Sequence, residues 1–168
     1  ECVGDIPVSD VSVVTDEADN SGNPPVVAFV SDISDNQTCP ETITRTYSVS
    51  DDCANTINVT QTIVVLDQTN PVPDANMLAD LTDECSVDAP ATAITATDNC
   101  SGSLTGVPDV SFPITTSGTT LVTWTFTDLC GNSSTQTQNV IVTDIDNSVS
   151  LANTTITAAA SGYQYQWV

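Results

Sequence analysis

The residues of this 168-residue chain best suited to chemistry are carboxylates, amides and thiols. Asp67 and Asn70 recur 77 places later as Asp144 and Asn147, with Asp146 between them. Hard oxygen ligands gathered at one place suit calcium, and Mg²⁺, which wants a tight octahedral shell with several waters, suits them less well. The "DIDN" at Asp144–Asn147 comes near the opening of an EF-hand loop without completing it. The competing reading is that Asp and Asn simply serve turns, closing them with their side chains. The thiols are Cys2, Cys39, Cys53, Cys85, Cys100 and Cys130, with neither a CxxC spacing nor a histidine anywhere. That set fits disulfides better than zinc and places the chain outside the cytoplasm. Without histidine, no Ser-His-Asp or Cys-His arrangement can be built. A glycosidase needs only two carboxylates, but it also needs aromatic walls, and eight aromatic residues are few for both core and cleft. No catalytic residue and no enzyme activity are expected.

Composition narrows the partners. Twenty-two acidic residues face one basic residue, Arg45, for a formal net charge of −21. Nucleic acid and anionic membranes both demand cationic side chains, so neither is an expected partner. No apolar run approaches the ~20 residues of a membrane helix. The opening "ECVGDIPVSD" shows neither the basic start nor the apolar stretch of a signal peptide, and it reads as the edge of a fragment.

The elements that must position these groups are strands. Val, Ile, Thr and Ser dominate, and "TLVTWTFTD" alternates polar and apolar residues with period two. The stretch from Arg45 to Val72 recurs without gaps as Val122 to Val149. Asp51, Cys53, Asn55, Gln61 and Asp67 meet identical residues, and Tyr47 meets Trp124 at an inward strand position. Each copy reads as a hairpin, turning at "CAN" (Cys53–Asn55) or "CGN" (Cys130–Asn132), where Gly and Asn supply positive φ. Earlier strands are expected at 24–32, 91–98 and 106–114. Short strands at this spacing predict an all-β fold of tandem immunoglobulin-like β-sandwiches. The boundaries place a first repeat at 1–67, truncated at its N-terminus, a second at 68–146, and a further module or terminal strand at 147–168.

"TDNCSG" followed by "SFPITTSGTTLVTWTFTDLCGN" resembles the hyalin-repeat (HYR) type of immunoglobulin-like domain. The phrasing from "ECVGDIPVSD" to "SVSDDCAN" is similar to the variant found in large surface adhesins and gliding-motility-type proteins of Bacteroidota. The resemblance implies a structural or adhesive repeat of a long secreted protein at the cell surface, exported by type IX secretion, and it brings no catalytic residue. The only cofactor expected is the calcium ion suggested by Asp67, Asn70, Asp144, Asp146 and Asn147, and the partners expected are neighbouring repeats, identical protomers or surface glycans.

Six cysteines allow 15 connectivities. Cys39 and Cys53 flank one extended strand and stand too far apart to bond unless it bends. The favoured pairs are Cys85–Cys100 in the second repeat and Cys2 with Cys39 or Cys53 in the first, which leaves one thiol per repeat unpaired. An alternative function is a carbohydrate-binding module gripping a glycan through exposed Trp124 and Trp167. A third is filament formation by strand exchange, with "SGYQYQWV" (Ser161–Val168) as donor. Sequons stand at Asn36, Asn58, Asn132 and Asn153.

Overall fold

A computed structural model describes residues 2–144 apart from 16, 19 and 21, together with the backbone of Val149–Ala152 and Thr155–Ala158. The protein is all-β, with no α-helix among the described residues. Short 3₁₀ turns at Val3–Asp5 and Val11–Val13 precede β1 (Val26–Ser34), β2 (Glu41–Ser50) and β3 (Thr56–Val65). The chain then runs through β4 (Val72–Pro73), β5 (Leu81–Glu84), β6 (Thr95–Asp98), β7 (Gly102–Thr105) and β8 (Val107–Pro108). The long hairpin β9 (Gly118–Thr127) and β10 (Ser133–Thr143) follows, then the hairpin β11 (Val149–Ala152) and β12 (Thr155–Ala158). The strand orders are β1-β2-β3, β4-β6-β7 and β5-β10-β9-β8. β1 with β2, β2 with β3 and β8 with β9 pair antiparallel, whereas β5 with β10 is parallel and sets Leu81 against Val140.

Two compact units result. The first comprises Glu1–Val72 with Thr97–Leu104 and Thr127–Ser134, and the second comprises Pro73–Ala96, Thr105–Phe126 and Thr135–Val168. Two turn-bearing stretches of the second repeat (68–146) therefore belong to the first unit.

The two units are held by different means. In the second, alternation along β9 buries Val122, Trp124 and Phe126, and alternation along β10 buries Gln138, Val140 and Val142. All of these but Gln138 pack with Val87, Ile94, Ala96 and Ile114 into one apolar core. Trp124 lies there as its sequence position suggests, its ring N–H donating to Gln138 Oε1 at 3.1 Å and its face stacked on Phe112. Gly106 is required at this core, because a Cβ there would stand 2.8 Å from Phe126 Cε1. Gly106→Ala should cost about 1–3 kcal/mol by overpacking, measured by urea denaturation.

In the first unit, Tyr47 is buried as expected, paired with Val59 across β2 and β3 and edge-on to Phe29. Beside it the chain's single basic side chain, Arg45, is also buried. Arg45 donates from Nε and one Nη to both oxygens of Asp32, each at 2.8 Å, and from the same Nη to the Pro7 carbonyl. Its hydrogen bonds hold the Asp32 carboxyl below the ordinary carboxylate range, while burial opposes the shift and the direct charge attraction adds to it. A depressed folded pKa contributes stability above the unfolded value near 3.8 and loses it as pH falls through the folded value. The melting-temperature gap between wild type and Asp32→Asn is therefore expected to stay constant above about pH 5 and to narrow below pH 4.

Candidate functional site

Three strands end on aspartates that belong to the first unit: β3 shortly before Asp67, β6 on Asp98, and β9 just before Asp128. Each carboxylate closes the turn that follows its strand, the habit that makes Asp a turn residue. Asp67 Oδ1 accepts from Thr69 N at 2.9 Å. Asp98 Oδ1 accepts from Cys100 N at 2.9 Å and Ser101 N at 2.7 Å. Asp128 Oδ1 accepts from Cys130 N and Asn132 N, both at 2.8 Å, and its Oδ2 accepts from Asn132 Nδ2 at 2.8 Å. The same Asn132 amide also donates to the Asp67 carbonyl at 3.1 Å.

The turns converge, so that Asp67, Asp98 and Asp128 each place one carboxylate oxygen within 4.8 Å of the others. All three residues are buried, at 4%, 4% and 7% exposure. Among the described residues no donor reaches Asp67 Oδ2 or Asp98 Oδ2, which face only other carboxylate oxygens. Unit charges at that separation repel by roughly 3 kcal/mol per pair or more at an effective dielectric constant of about 20. Ser101 N–H, with those of Cys100 and Asn99 and a contact with the Asp67 carboxyl, holds the Asp98 carboxyl below the usual range, although burial pushes it up. The lone arginine is engaged by Asp32, and no lysine or histidine exists to offset the cluster.

Of the residues nominated from the sequence for calcium, only Asp67 belongs to this cluster. Asn70 and Asp144 are exposed, and Asp146 and Asn147 lie outside the described residues. Asp98 and Asp128 were missed. The available signal was the repeat itself, because Asp128 stands 77 places after Asp51. Asp51 builds the same turn, accepting from Cys53 N, Asn55 N and Asn55 Nδ2. It remains half-buried. In both turns positive φ falls one residue before the Asn, at Ala54 (67°) and Gly131 (88°), and the Asn uses its amide to bind the Asp instead.

The disulfides lie in the same unit, and they overturn the favoured pairings. Cys2 bonds Cys100, with Cα atoms 5.2 Å apart, and Cys39 bonds Cys130 at 5.1 Å. Cys53 and Cys85 are free and exposed. Cys100 sits in the turn after β6, which clusters with the first unit, where the N-terminal 3₁₀ turn delivers Cys2. Cys85 is fixed in the second unit instead, its N–H donating to the Thr143 carbonyl beside the β5–β10 pairing. A cavity of about 260 Å³ is lined by all four bonded cysteines together with Asp67, Thr38 and Ser101.

Residues 73–142 match the family described as an HYR-like domain with 4 cysteines. The match covers less than half of the chain and supports the HYR-type repeat read from "TDNCSG" and the hairpin after it. Cys85, Cys100 and Cys130 fall inside it, and two of them bond to cysteines that precede it. No curated protein shows a significant match to the chain. No helix among the described residues is long and apolar enough to cross a membrane.

Proposed function

We propose that the chain is part of a long extracellular surface protein made of immunoglobulin-like repeats in tandem, working as a spacer or adhesive element. The observation that carries this reading is that both disulfides tie a motif of the first repeat (1–67) to a motif of the second (68–146). Cys2 opens "ECVGDIP", which returns as "ECSVDAP" around Cys85, while its partner Cys100 closes "TDNC". Cys39 lies in "TCP" before one hairpin, while its partner Cys130 lies in the turn of the other. Bonds that reach from repeat to repeat lace an array, so that pulling on it loads covalent links as well as hydrogen bonds. Disulfides form and persist in oxidising, extracellular surroundings.

The two free thiols fit the same scheme. Cys85 holds the motif position of Cys2, and Cys53 holds that of Cys130. In an array, Cys85 bonds the "TDNC" cysteine of a following repeat and Cys53 the "TCP" cysteine of a preceding one, each bond giving two electrons to an external oxidant. Partners are then neighbouring repeats or identical protomers. The glycan-platform alternative gains nothing from Trp124, whose ring is buried, and Trp167 lies outside the described residues. The donor-strand segment Ser161–Val168 lies outside them too. Non-reducing peptide mapping of native material should recover Cys85 joined to a cysteine of a later repeat, and electron microscopy should show an extended thread. Compact particles would defeat the spacer reading, and a free Cys85 thiol in native material would defeat the lacing.

A further inference from the structure

We propose that Asp67, Asp98 and Asp128 form a binding site for one calcium ion inside the first unit. The three residues are drawn from segments 31 and 30 positions apart in sequence (98 − 67 and 128 − 98), so the folded unit, not a local loop, assembles the site. Each carboxylate spends Oδ1 on backbone N–H groups, which fixes its orientation. Asp67 Oδ2 and Asp98 Oδ2 are left buried and unpartnered in residues more than nine-tenths shielded from solvent. Buried carboxylates without a donor are neutralised either by a proton or by a cation, and for the second this chain has no basic side chain to spare.

The chemistry selects the cation. The donors are all hard oxygens, and the nearest sulfurs are consumed in disulfides, which leaves nothing for a soft metal. Calcium tolerates a flexible shell of six to eight oxygens at about 2.3–2.6 Å, whereas magnesium demands a near-ideal octahedron at about 2.0–2.1 Å and keeps several waters, so three converging carboxylates suit calcium better. Their oxygens all lie within 4.8 Å of one another. Three protein oxygens leave room in a shell of six to eight, and the cavity beside Asp67 can hold the waters that complete it. The first unit needs such a brace, because among its described residues only Ile43, Tyr47 and Pro71 are buried apolar side chains.

The test is thermal unfolding of the oxidised chain at pH 7.5 after dialysis against EDTA, with Ca²⁺, Mg²⁺ or NaCl added at matched ionic strength. Matching is essential, because any salt relieves self-repulsion in a chain of net charge −21. Calcium at a hundredfold excess over its Kd should raise the melting temperature by roughly 5–10 °C, well beyond the other salts. Calorimetric titration should find one equivalent bound. Asp98→Asn and Asp128→Asn keep the turn-closing oxygen but lose an anion, and both should abolish the calcium-specific rise. Asp51→Asn, at the equivalent turn outside the cluster, should keep it. Equal responses to all three salts, no calcium heat on the wild-type chain, or a full calcium response in Asp98→Asn would each overturn the proposal. The wild-type titration decides the matter even if a variant fails to fold.

Discussion

Reduction of the two disulfides is expected to unfold β1–β3 while leaving β9 and β10 folded. The Cys2–Cys100 bond closes a loop with a sequence separation of 98, and Cys39–Cys130 one of 91. In the chain-entropy account, a single loop of about 100 residues contributes about 4.7 kcal/mol by restricting the unfolded chain. The two loops overlap, so once one bond is in place the other closes a shorter circuit and contributes less. Either Cys→Ser pair alone should therefore cost about 2–5 kcal/mol. That is a large share of the 5–15 kcal/mol that stabilises an ordinary domain. The first unit has little else to offset it. Val26, Phe29, Val30, Ile33, Ile57 and Val64 on its sheet are exposed. Hydrogen exchange with and without dithiothreitol would read the result strand by strand. Unchanged protection of β2 and β3 amides in reductant would show that the sheet holds without its covalent ties.

The opposite dependence is expected in the second unit, where Phe126→Ala should cost about 3–5 kcal/mol whatever the redox state. Phe126 is wholly buried, and its ring fills the space over Gly106. Removing it leaves a void lined by stiff, β-branched neighbours such as Ile94, Val122 and Val140, which cannot collapse into the gap. Phe29→Ala is the control. That ring is 44% exposed, so truncating it should cost well under half as much. Urea denaturation gives both numbers, with an unchanged slope required if the fold is otherwise intact. A loss below about 1 kcal/mol for Phe126→Ala would mean that this core does not hold the second unit together.

Much of the fold is legible in the sequence because strand burial is a local property. Alternation along "TLVTWTFT" puts Val122, Trp124 and Phe126 on one face, and the same period puts Tyr47 inward on β2. The expected strand at 24–32 appears as Val26–Ser34. Those at 91–98 and 106–114 shrink to Thr95–Asp98 and Val107–Pro108. Pairing, not propensity, sets strand length there: β8 meets β9 at only two positions, Val107 and Pro108. The turns were legible in place but not in mechanism, since the Asp at the start of each turn does the binding expected of the Asn conformation.

What the sequence by itself determined was the strand class, the repeated Asp-x-Cys-x-Asn hairpin turn and a net charge of −21, because each depends on residues close together in the chain or on a simple sum. Which cysteines join, and which carboxylates face one another, was decided only by the tertiary structure. Cys2 and Cys100, or Asp67 and Asp98, meet because β6 and β9 carry their following turns into the first unit. No local pattern encodes a closure across so many residues, since the path of all the intervening strands sets the distance between its ends.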